Sequence, residues 1–140
     1  ENADCFEIKP GTPYSAEDLD WRNPQSRSTV EMKNPDCRPA LTGCIENMAD
    51  YDVIFVGFPI WWGVAPRIIE TFLESYDFSG KTIIPFFSHE GTSSGGSALD
   101  SIESLAKGAT VKKSDYLSIR GGKVADSKQE VVDWVAKVSK

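Results

Sequence analysis

The sequence predicts an α/β domain, an open parallel sheet with helices on both faces. Three observations predict it. Val53-Ile54-Phe55-Val56 is a compact, uniformly apolar run rich in β-branched and aromatic residues. Such a run reads as a strand buried on both faces, as the strands of parallel sheets are. Ile68, Ile69, Phe72 and Leu73 then recur at helical spacing, which gives one core-facing stripe. Beyond them strand and helix patterns keep alternating, and alternation implies parallel strands joined by right-handed crossovers. The length supports one domain over residues 1–140 with a real core.

In chain order, Cys5-Phe6-Glu7-Ile8 alternates before Pro10-Gly11 and predicts a short strand. Residues 11–39 form a long polar stretch punctuated by Pro13, Pro24, Pro35 and Pro39. Within it Ser15-x-x-Asp18 resembles a capping box and predicts one helical turn. Asn-Pro-x-x-Arg occurs twice, at 23–27 and 34–38, and Asn-Pro turn chemistry accounts for both. A loop of this length is usually functional or mobile. A short helix is expected over residues 41–48. The central strand ends at Gly57 and Pro59, and Pro66 suits the first turn of the next helix.

Thr82-Ile83-Ile84-Pro85-Phe86-Phe87 predicts the next buried strand, weakened by Pro85, which cannot donate to a ladder. Residues 88–96, SHEGTSSGG, make a small-residue loop. A helix follows from Ser97 to Lys107, with Asp100 completing the cap and Gly108 ending it. Tyr116-Leu117-Ser118-Ile119 predicts a last strand. A last helix starts near Ser127 and carries Val131, Val132, Val135 and Val138.

Composition narrows the function. Hydrophobic residues are 40% and charged residues 26%, ordinary for a soluble globular protein. The formal net charge is -6 and the pI about 4.8, and no basic stripe marks a nucleic-acid partner. Cys5, Cys37 and Cys44 form no C-x-x-C, so neither a disulfide framework nor a zinc site is suggested. A reducing, cytoplasmic compartment is expected. The uncharged stretch over 53–66 is too short to span a bilayer, and no signal-peptide pattern opens the chain, so no membrane partner is expected.

Two loops belong to the same sheet edge, where ligands bind in open α/β folds. Residues 59–63 offer flat aromatic surface in Trp61 and Trp62. Residues 88–96 offer backbone N–H groups that small side chains leave accessible. Together they suit a planar heteroaromatic ring with polar edges. Adjacent residues in extended chain point opposite ways, so one tryptophan in the core is an equal reading when the pair is taken alone, and the nine-residue loop after the next strand favours a ligand site. His89, the single histidine, is a ligand contact, a proton carrier or a bystander. Glu90 reads as solvated. The chain shows no H-E-x-x-H and no P-loop pattern, so redox chemistry here needs a cofactor.

Gly57-Phe58-Pro59-Ile60-Trp61-Trp62-Gly63, then Pro66 and Thr71-Phe72-Leu73-Glu74, resembles the flavodoxin-like family, in particular small bacterial members with a P-I-W-W-G loop. Tyr51-Asp52, Asp77-Phe78-Ser79-Gly80-Lys81, Asp20-Trp21, Ser26-Arg27 and Arg38-Pro39 match in order, so the resemblance covers nearly the whole chain. It implies FMN at the carboxyl edge of the sheet, its ring held by Pro59, Ile60, Trp61, Trp62 and Gly63 and by Ser88, His89, Glu90, Gly91 and Thr92. Trp62, beside the glycine, is favoured for stacking, with Trp61 the alternative. No catalytic residue and no metal ligand is implied.

The resemblance also implies a departure. The family's first strand, phosphate-wrapping loop and first helix have no counterpart in this chain, so FMN is expected to bind weakly. The strand over 53–56 is then expected to lack a neighbour, closed either by residues 5–8 or by another chain in a homo-oligomer. The resulting expectation is a cytoplasmic FMN-binding electron-transfer protein. Its partners are the flavin and a redox partner protein or small electron acceptor. Two other readings remain open: a cofactor-free remnant acting by self-assembly, and a flavin-dependent quinone or nitro reductase.

Overall fold

The computed structural model describes residues 2–91 and 94–140. Residues 5–8 join no ladder, which corrects the strand expected there. Their apolar side chains are drawn sideways instead: the Phe6 ring stacks on Phe72 at 6.4 Å, and Ile8 packs against the core. Pairing begins just beyond, where β1 (Lys9–Pro10) runs antiparallel to β2 (Leu41–Thr42). That ladder captures residues expected to open a helix over 41–48, and only a 3-10 turn, Met48–Asp50, forms there.

The polar stretch between β1 and β2 is more ordered than its composition suggests. Ser15 and Asp18 make the reciprocal cap, Ser15 N–H to Asp18 Oδ2 at 2.8 Å and Asp18 N–H to Ser15 Oγ at 3.1 Å. A helix not expected from the sequence, α1 (Arg27–Lys33), follows, with Ser26 as its N-cap. Its buried side chains are Ser28, Thr29 and Met32, so its inner face is mostly polar.

The main sheet is parallel throughout. β3 (Val53–Pro59) pairs with β4 (Thr82–His89) over its whole length. On the far side of β4 lie two short strands, β5 (Thr110–Val111) against its start and β6 (Leu117–Arg120) against its end. α2 (Arg67–Ser75) and α3 (Gly96–Leu105) cover the face of Val56 and Phe58 and build the core with Ile68, Phe72, Leu73, Leu99 and Ile102. α4 (Lys128–Val138) takes the other face, where Trp134 packs against Phe55 and Phe86. Helices therefore lie on both faces, as expected.

Pro85 sits inside β4 because of that change of neighbours. Backbone groups alternate sides along a strand. Thr82 N–H and Ser88 C=O bond toward β3, while the Lys81 and Ile83 carbonyls accept from Thr110 and Lys112. The missing N–H of Pro85 thus falls on the β5–β6 side, between Ile83, the last residue β5 pairs, and Phe86, the first that β6 pairs. By the same alternation Val53, Phe55 and Gly57 direct their N–H and C=O groups away from β4. No strand pairs with that edge among the described residues. Val53 is 50% exposed and Phe55 36%, so β3 is buried on one face, not both as its apolar run suggested.

Candidate functional site

The parallel register pairs Pro59 with Ser88, which brings both loops to the carboxyl edge of the sheet. Ile60 N–H donates to the Ser88 carbonyl at 2.8 Å and ties them together. Beyond it Trp61 and Val64 exchange backbone hydrogen bonds, N–H to O at 2.8 and 3.0 Å, across a two-residue turn made by Trp62 and Gly63. Their φ angles are 49° and 78°. Two successive left-handed residues are the signature of a type I′ turn. Glycine takes that conformation freely; tryptophan does not, and Trp62 is the single non-glycine residue with positive φ among the described residues. The strained turn leaves the Trp62 ring 50% exposed at the tip.

Neither tryptophan is a core residue. Trp61 is half-buried and meets Tyr14 edge-on, ring centroids 5.8 Å apart and planes at 82°. Tyr14 is held in turn by α1. Its hydroxyl donates to Glu31 Oε2, and the Arg27 guanidinium stands 3.9 Å over its ring. Arg27 also donates to Glu31 Oε1 at 2.9 Å and to the Thr12 carbonyl at 2.7 Å. Burial, then the hydrogen bond to Glu31 and its charge, push the Tyr14 phenol well above its ordinary pKa. Burial and the Glu31 charge also raise the Cys37 thiol. Tyr14 and Glu31 had no role in the sequence reading, and Arg27 entered it only through the Asn-Pro-x-x-Arg pattern and the Ser26-Arg27 match. Ser26-Arg27 and Glu31 carry no local signal that they converge on Trp61.

On the second loop, Ser88 and His89 end β4, both half-buried. His89 Nδ1 lies 3.0 Å from the Gly91 carbonyl. A carbonyl only accepts, so Nδ1 is the donor and Nε2 is the acceptor of the neutral ring. Glu90 turns away toward β6. It pairs with Arg120 at 3.7 Å, and a Cβ on Gly121 would stand 2.2 Å from its Oε1. It is exposed, as the sequence suggested, and carries an ion pair as well. Gly91 is exposed, and Thr92 lies outside the described residues. The loop returns at Gly95, the N-cap of α3, with φ 71°. A Cβ there would stand 2.3 Å from the Phe87 ring, which stacks on Phe58 and Tyr116.

Two loops thus leave one sheet edge as an open shelf, one bearing the exposed Trp62 indole and the other Ser88, His89 and Gly91. A cleft of about 380 Å³ lies elsewhere, between α2, α3 and Pro35. Its cations are engaged. Arg67 pairs with Glu70 at 3.1 Å, and Arg38 pairs with Glu74 at 3.0 Å. Arg38 Nη1 also lies 2.8 Å from Glu70 Oε2, but donates to the Pro35 and Cys37 carbonyls, so that oxygen accepts no aligned hydrogen bond. Among the described residues, no group of three His, Cys, Asp or Glu could hold a metal, and no helix is long and apolar enough to cross a membrane.

Comparison with known proteins decides the family. The flavodoxin family model matches residues 1–138. The chain belongs to the flavodoxin family. Similar solved structures agree with the family. A candidate flavoprotein from Bacteroides eggerthii is 36% identical with a TM-score of 0.79, covering 96% of this chain and 80% of that one. Another, from Bacteroides uniformis, is 42% identical with a TM-score of 0.76, covering 90% and 79%. A flavoprotein from Lactobacillus acidophilus, solved in complex with FMN, is 20% identical with a TM-score of 0.50, covering 71% and 64%; that likeness speaks to the flavodoxin fold alone. No curated protein matches the chain.

Proposed function

We propose that this flavodoxin-family chain binds FMN at the shelf and serves in electron transfer. The observation that supports the reading is the Ile60–Ser88 tie, which joins the loop carrying the exposed Trp62 to the end of β4, where residues 88–91 begin. Trp62 supplies a face for the flavin ring, and Trp61, engaged by Tyr14, supports the turn beneath it. Pro59, Ile60 and Gly63 shape the shelf. On the polar side we count Ser88, His89 and Gly91, with His89 Nε2 the acceptor for a ring N–H; Glu90 is drawn to Arg120 instead. When bound, the flavin supplies the electron exchange; the chain's residues hold it, orient it and shield one face.

The ring end of FMN fits these residues better than the phosphate end. Thr12 and Ser15 are the phosphate candidates nearest in sequence to the Trp61 partner Tyr14. Neither heads a helix, and the nearby cation, the Arg27 guanidinium, is already bonded to Glu31 and to the Thr12 carbonyl. We therefore read the affinity for FMN as weak for the family. Cys5, Cys37 and Cys44 are all free thiols, which fits work in a reducing, cytoplasmic setting. The redox partner is another protein or a small acceptor reaching the shelf. The unpaired edge of β3 favours a second element of the reading, a homo-oligomer that covers it.

Titration of the purified chain with FMN, read by flavin absorption and fluorescence quenching, tests the proposal. Saturable binding with quenching is expected. An unchanged flavin spectrum at millimolar protein overturns it and leaves self-assembly as the function. Steady consumption of a nicotinamide with a quinone present moves the reading from electron carrier to reductase.

A further inference from the structure

The Trp61–Val64 turn is strained at Trp62, and a strained residue persists only where its surroundings over-determine it. Two backbone bonds close the turn and a third ties its base to Ser88. The side-chain support comes from Tyr14, whose ring edge meets Trp61. Tyr14 stands on a loop, yet it is fixed from two directions by anchored partners. Its hydroxyl is held by Glu31, its face by the Arg27 guanidinium, and Arg27 is anchored on the other oxygen of Glu31 and on the Thr12 carbonyl.

The cluster is also tied to the helix that follows the turn. Arg67, at the start of α2, donates to the Met32 carbonyl at 2.8 Å and to the Glu31 carbonyl at 3.4 Å. Force on the turn is thus met from both ends, through α2 behind it and through Tyr14 beside it. Glu31 is the hinge of this arrangement, since its carboxylate takes Tyr14 and Arg27 while its carbonyl takes Arg67.

We infer that Tyr14 is a positioning residue for the ring shelf, setting Trp61 so that the turn presents Trp62. Its consequence for flavin rests on the reading above; its consequence for the turn does not. The test labels the protein with 5-fluorotryptophan and assigns the four fluorine resonances with single Trp→Phe variants. In Tyr14→Leu the Trp61 and Trp62 resonances should move while that of Trp134, on the far face, stays. Tyr14→Phe keeps the ring and should restore Trp61 to near its native position. Glu31→Gln, which loosens the anchor without touching the ring, should shift Trp61 by a smaller amount, and it serves if Tyr14→Leu does not fold. The FMN dissociation constant should rise roughly two- to tenfold in Tyr14→Leu, the range that one aromatic pair supplies. Unmoved Trp61 and Trp62 resonances in both Tyr14→Leu and Glu31→Gln overturn the inference. A wild-type chain that takes no FMN while its resonances respond as expected sinks the flavin reading and keeps the positioning role.

Discussion

Ile60 donates its backbone N–H to the carbonyl of Ser88 across 2.8 Å, one residue beyond the end of β3. The bond extends the parallel ladder into the loops. The aromatic loop and the small-residue loop therefore leave the sheet at a fixed separation, and a ring placed against one is in register with the other.

That arrangement ranks the contacts. Trp62→Ala should weaken FMN binding more than His89→Ala, because one change removes stacking area and the other a single polar contact. Dissociation constants from flavin fluorescence check this. Equal losses would remove Trp62 from the stacking role.

Trp62 also separates stability from binding. Its φ of 49° is costly for an L-residue with a large side chain. Asn-Gly is the favoured pair for this turn. Trp62→Asn should raise unfolding stability by up to about 1 kcal/mol while weakening FMN. Urea denaturation read beside FMN titration would show the opposite signs. A parallel loss of both would mean that the indole packs more than its exposure indicates.

Riboflavin should bind nearly as well as FMN. Phosphates are held by helix N-termini, loop amides and cations, and the cation nearest the shelf's support, Arg27, is already bonded to Glu31 and the Thr12 carbonyl. Calorimetric titration of both ligands settles it, and a preference for FMN of roughly a hundredfold or more would require a dedicated phosphate contact.

Assembly is testable through β3. Light scattering at micromolar concentration should give a dimer or larger species. Phe55→Pro deletes an N–H that points away from β4, so it should release monomers with the sheet intact. In the assembly the amides of Val53, Phe55 and Gly57 should exchange with solvent as slowly as those of Ile54 and Val56. A folded wild-type monomer with rapid exchange at alternate residues would remove the oligomer.

Alkaline pH should find Tyr14. Its folded pKa is raised by burial and then by Glu31. A group with a raised folded pKa contributes stability that is whole below its unfolded value, about 10 for tyrosine, and is lost as pH climbs toward the folded one. The wild type should therefore lose stability between pH 9 and about 11 more steeply than Tyr14→Phe. Matching slopes would show that the phenol ionises as freely folded as unfolded.

Much of this fold was legible from periodicity. The stripe of Ile68, Ile69, Phe72 and Leu73 is buried as its spacing implies, and β4 forms from its apolar run despite Pro85. The long loop was not legible. α1 hides Ser28 and Thr29 against its surroundings, so no apolar period announces it. Residues 5–8 alternate like a strand, yet Phe6 and Ile8 found apolar partners without a ladder. Within the site, the turn at Trp62 and Gly63 could be placed from its glycine, but Tyr14 could not. Its hydroxyl partner lies 17 residues away, and only folding brings the two together.

The change of neighbours at Pro85 divides the far side of the sheet into two short ladders placed end to end. β5 grips the foot of β4 and β6 grips its head, with no bond shared between them. Cooperative units in proteins follow such seams, and regions joined by few contacts open at lower free energy than the whole. β6 with α4 is joined to the rest through the head of β4 and through Trp134 on Phe55 and Phe86, and not through β5. Glu90 rests on that unit, against Gly121 and beside Arg120. The two walls of the shelf therefore lean on different parts of the chain, the small-residue loop on β6 through Glu90 and the indole turn on α1 through Tyr14.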